Sequence, residues 1–258
     1  MLGSWTERLV SAAQRCSDRH ARGRARDVER LGRLVADVDE TFCGEVAERF
    51  DRLPRMGYDV ALARRYRQLK RETRLQYEAI VDAGIRVEPW LGLGQPYHDS
   101  GELVRGVRET GTIQLFLTRS GHGPYGGAGF HPMRESTGIS VKGVELTHND
   151  LFRVVHDVFG HVMFGHSFGP DGELQAAYCQ MALLPEVAQP VVFTEQVAQT
   201  CWFFFGPHLR DEAGRVPRRG ERGYVAPHRR PYPEQKVFAP EPRQLEAFGR
   251  MFRLRALR

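Results

Sequence analysis

The stretch THNDLFRVVHDVFGHVMFGH, residues 147–166, combines an apolar helical pattern with three histidines spaced five positions apart. Thr147 and the polar residues after it can cap a helix start by accepting a backbone hydrogen bond. The apolar positions that follow recur at steps of three and four, as on the buried face of a helix: Leu151, Val154, Val155 and Val158. The sequence therefore predicts that His156 and His161 lie on a buried helix.

A spacing of five does not align two residues on an ideal α-helix. At 100° per residue, His156 and His161 fall about 140° apart around the axis and about 7.5 Å along it. They would not share a face as a pair spaced by four does. Both rings can still reach one metal ion from the two flanks of the buried face, helped by a local distortion near Gly160. We expect His166, which follows Gly165, to lie beyond the helix end.

The hexapeptide HDVFGH, residues 156–161, resembles the iron-binding segment of the aromatic amino acid hydroxylases, whose bacterial members carry His-Asp-x-Phe-Gly-His. The resemblance implies that His156 and His161 ligate a mononuclear non-haem Fe(II), with dioxygen as co-substrate. It also implies a glutamate ligand on a later helix and a mostly α catalytic core with a small β-sheet. The segment CWFFFG, residues 201–206, is similar to an aromatic helix near that family's third ligand.

The third ligand departs from the family pattern. When CWFFFG is aligned on its Trp and Gly, the expected glutamate position holds Phe204, which cannot bind iron. Glu195 is our preferred replacement because it begins a predicted helix that is almost uncharged, where burying a free carboxylate is costly. Glu173 is the other candidate. Either glutamate could instead stabilise the start of a helix, by capping free backbone amides or through the helix dipole. If both were ligands, the site could hold two irons.

The chemistry of this ligand set supports oxygen activation. Two imidazoles and one carboxylate form a facial triad that leaves coordination positions open for dioxygen beside a substrate. The spacing differs from the zinc-protease pattern H-E-x-x-H, and Asp157 is expected to orient a ring or cap a neighbouring residue rather than ligate. Three alternatives remain open: a zinc-dependent hydrolase at the same ligands, a dinuclear iron oxygenase, and a non-catalytic helical interaction protein with core histidines.

Further candidates for contact with a small-molecule substrate are His131, Arg153 and Gln199. Arg153 could pair a substrate carboxylate through two hydrogen bonds, or it could form a structural salt bridge. His122 and Tyr125 lie in a glycine-rich loop, RSGHGPYGGAGFHPMRESTG, that could approach a ligand.

The resemblance also implies a pterin reductant and an aromatic amino acid substrate. The family's pterin-binding stretch is not found upstream, where the glycine-rich loop and GISVKGVE lie instead. We therefore assign neither. The predicted reaction is the oxidation, most simply the hydroxylation, of a small metabolite that resembles an amino acid.

Composition limits the other classes of function. The net charge of +5 comes from arginines that alternate with acidic residues, which is typical of a solvated surface, so nucleic acid is not an expected partner. No apolar run approaches the roughly 18 residues of a membrane span, and a cytoplasmic location is expected. The four cysteines form no C-x-x-C pair and are expected to be buried and reduced: Cys16, Cys43, Cys179 and Cys201.

The elements predict one catalytic domain over residues 1–258, mostly α with a small β-sheet. Its parts are a helical region (1–83), a small sheet with the glycine-rich loop (84–146), the metal-site helices (147–206) and a C-terminal wrap (207–258). Apolar periodicity predicts one long helix over 27–53 and another from Asp59 to Asp82 that stops at Gly84. We also expect strands in 85–92 and 112–118 and a helix capped by Ser100 and running to Glu109.

Overall fold

A computed structural model describes residues 4–20, 27–121 and 130–254 of the chain. The fold is mostly helical with small sheets, as the sequence predicts at that level. The α-helices are α1 (Trp5–Asp18), α2 (Val28–Leu31), α3 (Glu40–Arg52), α4 (Val60–Asp82), α5 (Ser100–Thr110), α6 (Thr118–Gly121), α7 (His148–Val155), α8 (Pro170–Ala182), α9 (Gln189–Val192), α10 (Gln199–Phe205) and α11 (Pro242–Arg250). Two π-helical turns, His156–Val162 and Phe193–Ala198, continue α7 and join α9 to α10.

The strands of the described residues pair in three small sheets. They are β1 (Leu34–Ala36), β2 (Arg86–Pro89), β3 (Thr112–Leu115), β4 (Ser136–Val141), β5 (Val144–Thr147) and β6 (Phe252–Leu254). β1 pairs antiparallel with β6, β2 parallel with β3, and β4 antiparallel with β5. α7 follows directly after β5, so the β4–β5 hairpin fixes where the histidine segment begins.

The single long helix predicted over 27–53 is wrong. The chain instead forms α2, then β1, then α3, and β1 pairs with β6 close to the opposite end of the sequence. The new helix has its own N-cap, since the Asp39 carboxylate accepts the Phe42 backbone N–H at 3.0 Å. A long-range strand pairing has therefore overridden a helical apolar periodicity, which local sequence cannot reveal.

The other predicted elements occur with shifted ends. α4 runs from Val60 to Asp82, and Gly84 follows it with a φ of 98°, a left-handed conformation that favours glycine. α5 is capped by Asp99 rather than by Ser100, since the Asp99 carboxylate accepts the Glu102 backbone N–H. β3 ends at Leu115, short of the predicted residue 118.

The histidine segment lies between two hydrophobic clusters. Val155, Val158 and Phe159 pack into a cluster built around α1, α5 and β3. Phe152, from the preceding turn, faces a second cluster formed mainly by α3, α4 and the helix of residues 189–205. Because the segment is buried on both sides, its side chains are held in fixed positions relative to α8.

All four cysteines are buried and free, as predicted. Among the described residues, no helix combines the length and the apolar character needed to cross a bilayer.

The C-terminal part of the described chain contacts the end of α3. There the buried Lys236 ammonium donates to the backbone carbonyls of Phe50, Asp51 and Leu53.

Candidate metal centre

The π-helical turn explains the spacing of the histidines. In a π-helix each backbone N–H bonds five residues back, so side chains five positions apart lie on the same face. His156 and His161 accordingly meet, with their Nε2 atoms 3.1 Å apart. The angular separation expected from an ideal α-helix is therefore wrong, and the distortion expected near Gly160 extends over the whole turn.

Gly160 allows α8 to pack closely against this turn. A Cβ atom at position 160 would lie 2.8 Å from the Cβ of Ala176, a distance that side chains do not tolerate. Gly172, in the first turn of α8, is equally constrained, because a Cβ there would lie 2.1 Å from the Ser167 carbonyl oxygen. The two glycines bring the start of α8 against the histidines.

Glu173 on the first turn of α8 is the carboxylate that joins the two histidines. Its Oε2 lies 3.2 Å from His156 Nε2 and 3.6 Å from His161 Nε2. Over residues 4–20, 27–121 and 130–254, these three form the one group of His, Cys, Asp or Glu side chains with ligand atoms all within 4.8 Å of one another. The arrangement has the composition of a two-histidine, one-carboxylate metal site.

The distances between the three ligand atoms fit a single transition-metal ion. With metal–ligand bonds of about 2.1 Å, neighbouring donors are about 3.0 Å apart in an octahedron and about 3.4 Å apart in a tetrahedron. The observed range of 3.1–3.6 Å spans both geometries, so it is compatible with iron and with zinc. The His161 side chain is 1% exposed, whereas those of His156 and Glu173 are 15% and 22% exposed, which leaves one side of the triad accessible from solvent.

A backbone contact fixes the tautomer of His161. Its Nδ1 lies 2.9 Å from the His166 carbonyl oxygen, which can only accept, so Nδ1 carries the hydrogen and Nε2 presents a lone pair to the triad. His166 follows the helix, as predicted. Burial, and to a smaller extent the neighbouring His161 and His156, lower the pKa of His166 to about 4, so its ring is neutral at physiological pH.

The carboxylates around the triad favour positive charge there. Burial opposes a charged His161, but Glu173 and Asp157 outweigh it and raise the pKa of that imidazole. Burial alone would raise the pKa of Glu173, yet His161 and His156 hold it well below its usual range. Burial raises the pKa of Asp157, which contributes to the field of the site and lies outside the group of three ligand atoms.

Glu195, the preferred third ligand, lies elsewhere. The prediction that Glu195 begins a helix is wrong, because it lies within the π-helical turn Phe193–Ala198. Its carboxylate accepts the Tyr66 hydroxyl hydrogen bond and lies 3.3 Å from His131 Nε2 and 3.5 Å from Gln199 Nε2. His131 Nδ1 accepts the Met133 backbone N–H, and its Nε2, although 3.3 Å from Glu195, makes no hydrogen bond within the described residues.

Glu195 thus accepts hydrogen bonds from Tyr66 and Gln199, and it lies outside the group formed by His156, His161 and Glu173. Two of the predicted substrate-contacting residues, His131 and Gln199, belong to this same cluster. Glu195 does not join Glu173 in the group of ligand atoms found among the described residues, so the dinuclear arrangement that would use both glutamates stays a prediction. Phe204, at the aligned family position, packs edge-on against Phe203 instead.

Arg153 lies one helical turn before His156 on α7. Its guanidinium is 5.6 Å from the centre of the Phe116 ring, and it also hydrogen-bonds the Tyr232 hydroxyl. Burial raises the pKa of Tyr232, and the Arg153 bond partly offsets this. Within the described ranges no carboxylate lies within 4.0 Å of Arg153, so the structural salt bridge that the sequence left open is not found there. His122 and Tyr125 lie outside the described residues.

Gln196 was missed by the sequence reasoning. It is buried, and its side-chain Nε2 lies 2.6 Å from His156 Nδ1, on the side of the ring opposite the triad. The available signal was its position next to Glu195 in a nearly uncharged helix, where a buried amide requires partners.

Comparisons of the chain with protein-family models, with curated proteins and with solved structures give no match. The arguments for function therefore rest on the geometry and chemistry of the triad.

Proposed function

We propose that this protein is a mononuclear non-haem Fe(II)-dependent oxygenase that oxidises a small metabolite, most simply by hydroxylation. The observation that carries the proposal is the convergence of His156, His161 and Glu173 on one point, with the His161 tautomer already fixed for ligation. We also propose that its core is related to that of the aromatic amino acid hydroxylases, on the resemblance of HDVFGH, and that it acts in the cytoplasm.

The ligand set favours iron and dioxygen over other metal chemistry. Two neutral imidazoles and one carboxylate on one face are typical of non-haem Fe(II) oxygenases, because three coordination positions stay open for dioxygen and substrate. Fe(II) supplies dioxygen activation when bound at this triad. A pterin reductant is not part of the proposal.

The surrounding side chains have distinct roles in this proposal. His156, His161 and Glu173 hold the ion, and the Asp157 carboxylate adds negative charge near it. Arg153 binds an anionic group of the substrate through its guanidinium, with the Tyr232 hydroxyl beside it. Molecules that resemble amino acids are the first substrate class to test.

The test is anaerobic reconstitution with Fe(II) or Zn(II), followed by elemental analysis of metal per chain. We expect one iron per chain in the wild type, no iron in His161→Ala, and retention of iron in Arg153→Gln. Oxygen consumption during a screen of small carboxylate-bearing molecules then tests the reaction, and Arg153→Gln should raise KM for a carboxylate substrate by about tenfold or more.

Two results would overturn the proposal. Tight zinc binding with indifferent iron binding would favour a hydrolase, in which zinc lowers the pKa of a bound water. The absence of any bound metal in the wild type would instead favour a non-catalytic role in which the histidines are core groups.

A further inference from the structure

The side of His156 that faces away from the triad meets two glutamine side chains. Gln196 Nε2 lies 2.6 Å from His156 Nδ1 and also donates to Gln180 Oε1 on α8. Gln196 is 8% exposed and Gln180 is fully buried. The ring nitrogen that does not face the triad is therefore coupled to a buried chain of two amides.

Each amide has one atom without a hydrogen-bond partner among the described residues. These atoms are Gln196 Oε1 and Gln180 Nε2, an acceptor and a donor. Buried polar atoms without partners are unusual, so each calls for an explanation. A side-chain amide exchanges its oxygen and nitrogen by half a turn about its last bond, which would bring these two atoms into the contact.

The two orientations of the amides correspond to two tautomers of His156. In the structure, Gln196 donates to Nδ1, so the ring hydrogen lies on Nε2 and faces Glu173 Oε2 at 3.2 Å. That tautomer has no lone pair on Nε2 for a metal ion. With both amides rotated, Gln196 Oε1 accepts hydrogen bonds from His156 Nδ1–H and from Gln180 Nε2, and His156 Nε2 is ready to ligate.

The number of hydrogen bonds does not distinguish the two orientations. In each one the pair makes the same number of contacts and leaves one acceptor and one donor unpartnered. The state of the His156 ring therefore decides the orientation, and the ring state depends on whether Nε2 faces a carboxylate or a metal ion.

We infer that Gln196, supported by Gln180, is a positioning residue that selects the His156 tautomer, and that both amides rotate when the triad binds a divalent metal ion. This inference rests on the proposed metal site. It assigns a role to two buried side chains that do not touch the triad centre themselves.

The first test measures Co(II) affinity, from its visible absorption, in wild type, Gln196→Leu and Gln196→Glu. We expect Gln196→Leu to weaken Co(II) binding by about 10- to 100-fold, as for other groups that orient metal-ligating histidines. Gln196→Glu should bind at least as tightly as wild type, because a carboxylate only accepts and so holds Nδ1–H. A matched control is Gln76→Leu, which removes another buried glutamine, one whose Nε2 donates to the Leu183 backbone carbonyl and makes no contact with His156 that the structure shows.

The second test observes the tautomer directly by NMR of protein labelled with ¹⁵N-histidine. Metal-free wild type should show His156 with hydrogen on Nε2, whereas zinc-loaded wild type and metal-free Gln196→Glu should show it on Nδ1. Equal losses of affinity in Gln196→Leu and Gln196→Glu, or hydrogen on Nε2 in metal-free Gln196→Glu, would overturn the inference. Failure of the wild type to bind Co(II) would refute the metal site instead. Because this result is measured on the wild type, it is distinct from any loss of affinity in the Gln196 variants.

Discussion

Two glutamates in this protein, one partly exposed and one buried, have opposite surroundings. Glu173, at the start of α8, faces two imidazole nitrogens, and its side chain is 22% exposed. Glu195, in the second π-helical turn, is 1% exposed and is surrounded by the hydroxyl of Tyr66, the ring of His131 and the amide of Gln199. The carboxylate with the more apolar sequence context is thus the one that accepts hydrogen bonds from the protein's own side chains. A buried carboxylate indicates a metal ligand only when the protein leaves its oxygens available.

The largest expected effect separates the two glutamates by metal affinity. We expect Glu173→Gln to weaken Fe(II) and Co(II) binding by more than the roughly 100-fold that orienting groups contribute, because it removes a charged ligand. Glu195→Gln should bind metal like the wild type. Titration with Co(II) checks both variants, and a loss of binding that is equal in the two would contradict the different roles of Glu173 and Glu195.

The second effect concerns stability. Glu195→Ala leaves the buried Tyr66 hydroxyl without its acceptor, so we expect the free energy of unfolding to fall by about 1–3 kcal/mol or more. Tyr66→Phe should restore part of that loss when combined with Glu195→Ala, since it removes the unpaired hydroxyl. Urea unfolding of the two single variants and the double variant gives the coupling, and strictly additive losses would argue against the pairing.

The third effect is a pH dependence of the metal-free protein. The raised pKa of His161 contributes stability that is present below its ordinary value of 6.5 and is lost as pH rises through the folded value. The lowered pKa of Glu173 contributes stability that is present above its ordinary value of 4.5 and is lost as pH falls through the folded value. Metal-free wild type should therefore be most stable between about pH 4.5 and 6.5 as far as this pair is concerned.

Thermal unfolding at a series of pH values, with a chelator present, measures this dependence. Glu173→Gln should flatten it, whereas Glu195→Gln should preserve its shape. A wild-type profile that is unchanged by Glu173→Gln would show that the His161–Glu173 pair contributes nothing to stability.

The smallest expected effect is that of Gln199→Leu. The distance from Gln199 Nε2 to Glu195 is 3.5 Å, at the limit of a hydrogen bond, so its removal should change the free energy of unfolding by about 0.5 kcal/mol or less. Metal affinity should not change, because Gln199 belongs to the Glu195 cluster. A drop in metal affinity would instead support the predicted role of Gln199 beside the metal site.

Much of the candidate site could be predicted from the sequence, although its geometry could not. The histidine pair follows from spacing and apolar context, and Glu173 was among the two candidates. The contact between residues five positions apart comes from a π-helical turn, which no propensity predicts and which packs against α8 at Gly160. The choice between the glutamates was decided by Tyr66, which lies 129 positions from Glu195 in the chain and contacts it only in the folded protein.

The fold shows the same boundary between local and distant information. α4 and α5 were predicted because their apolar faces and their terminal Asp and Gly residues are local signals. The segment 27–53 was mispredicted because β1 is stabilised by β6, whose sequence lies more than 200 positions away. Local periodicity therefore predicts elements that pack by one face, and it fails where a distant strand supplies the hydrogen bonds.

The three residues of the proposed metal site come from a single short stretch, since His156 and Glu173 are separated by only 17 positions. Closing so short a loop has a small entropic penalty, so these contacts are of low contact order and are expected to form early in folding. A chain that is only partly folded could therefore already bind the ion. Since an ion that also binds the unfolded chain stabilises the native state less than one that does not, thermal stabilisation on loading should be smaller than the measured metal affinity suggests.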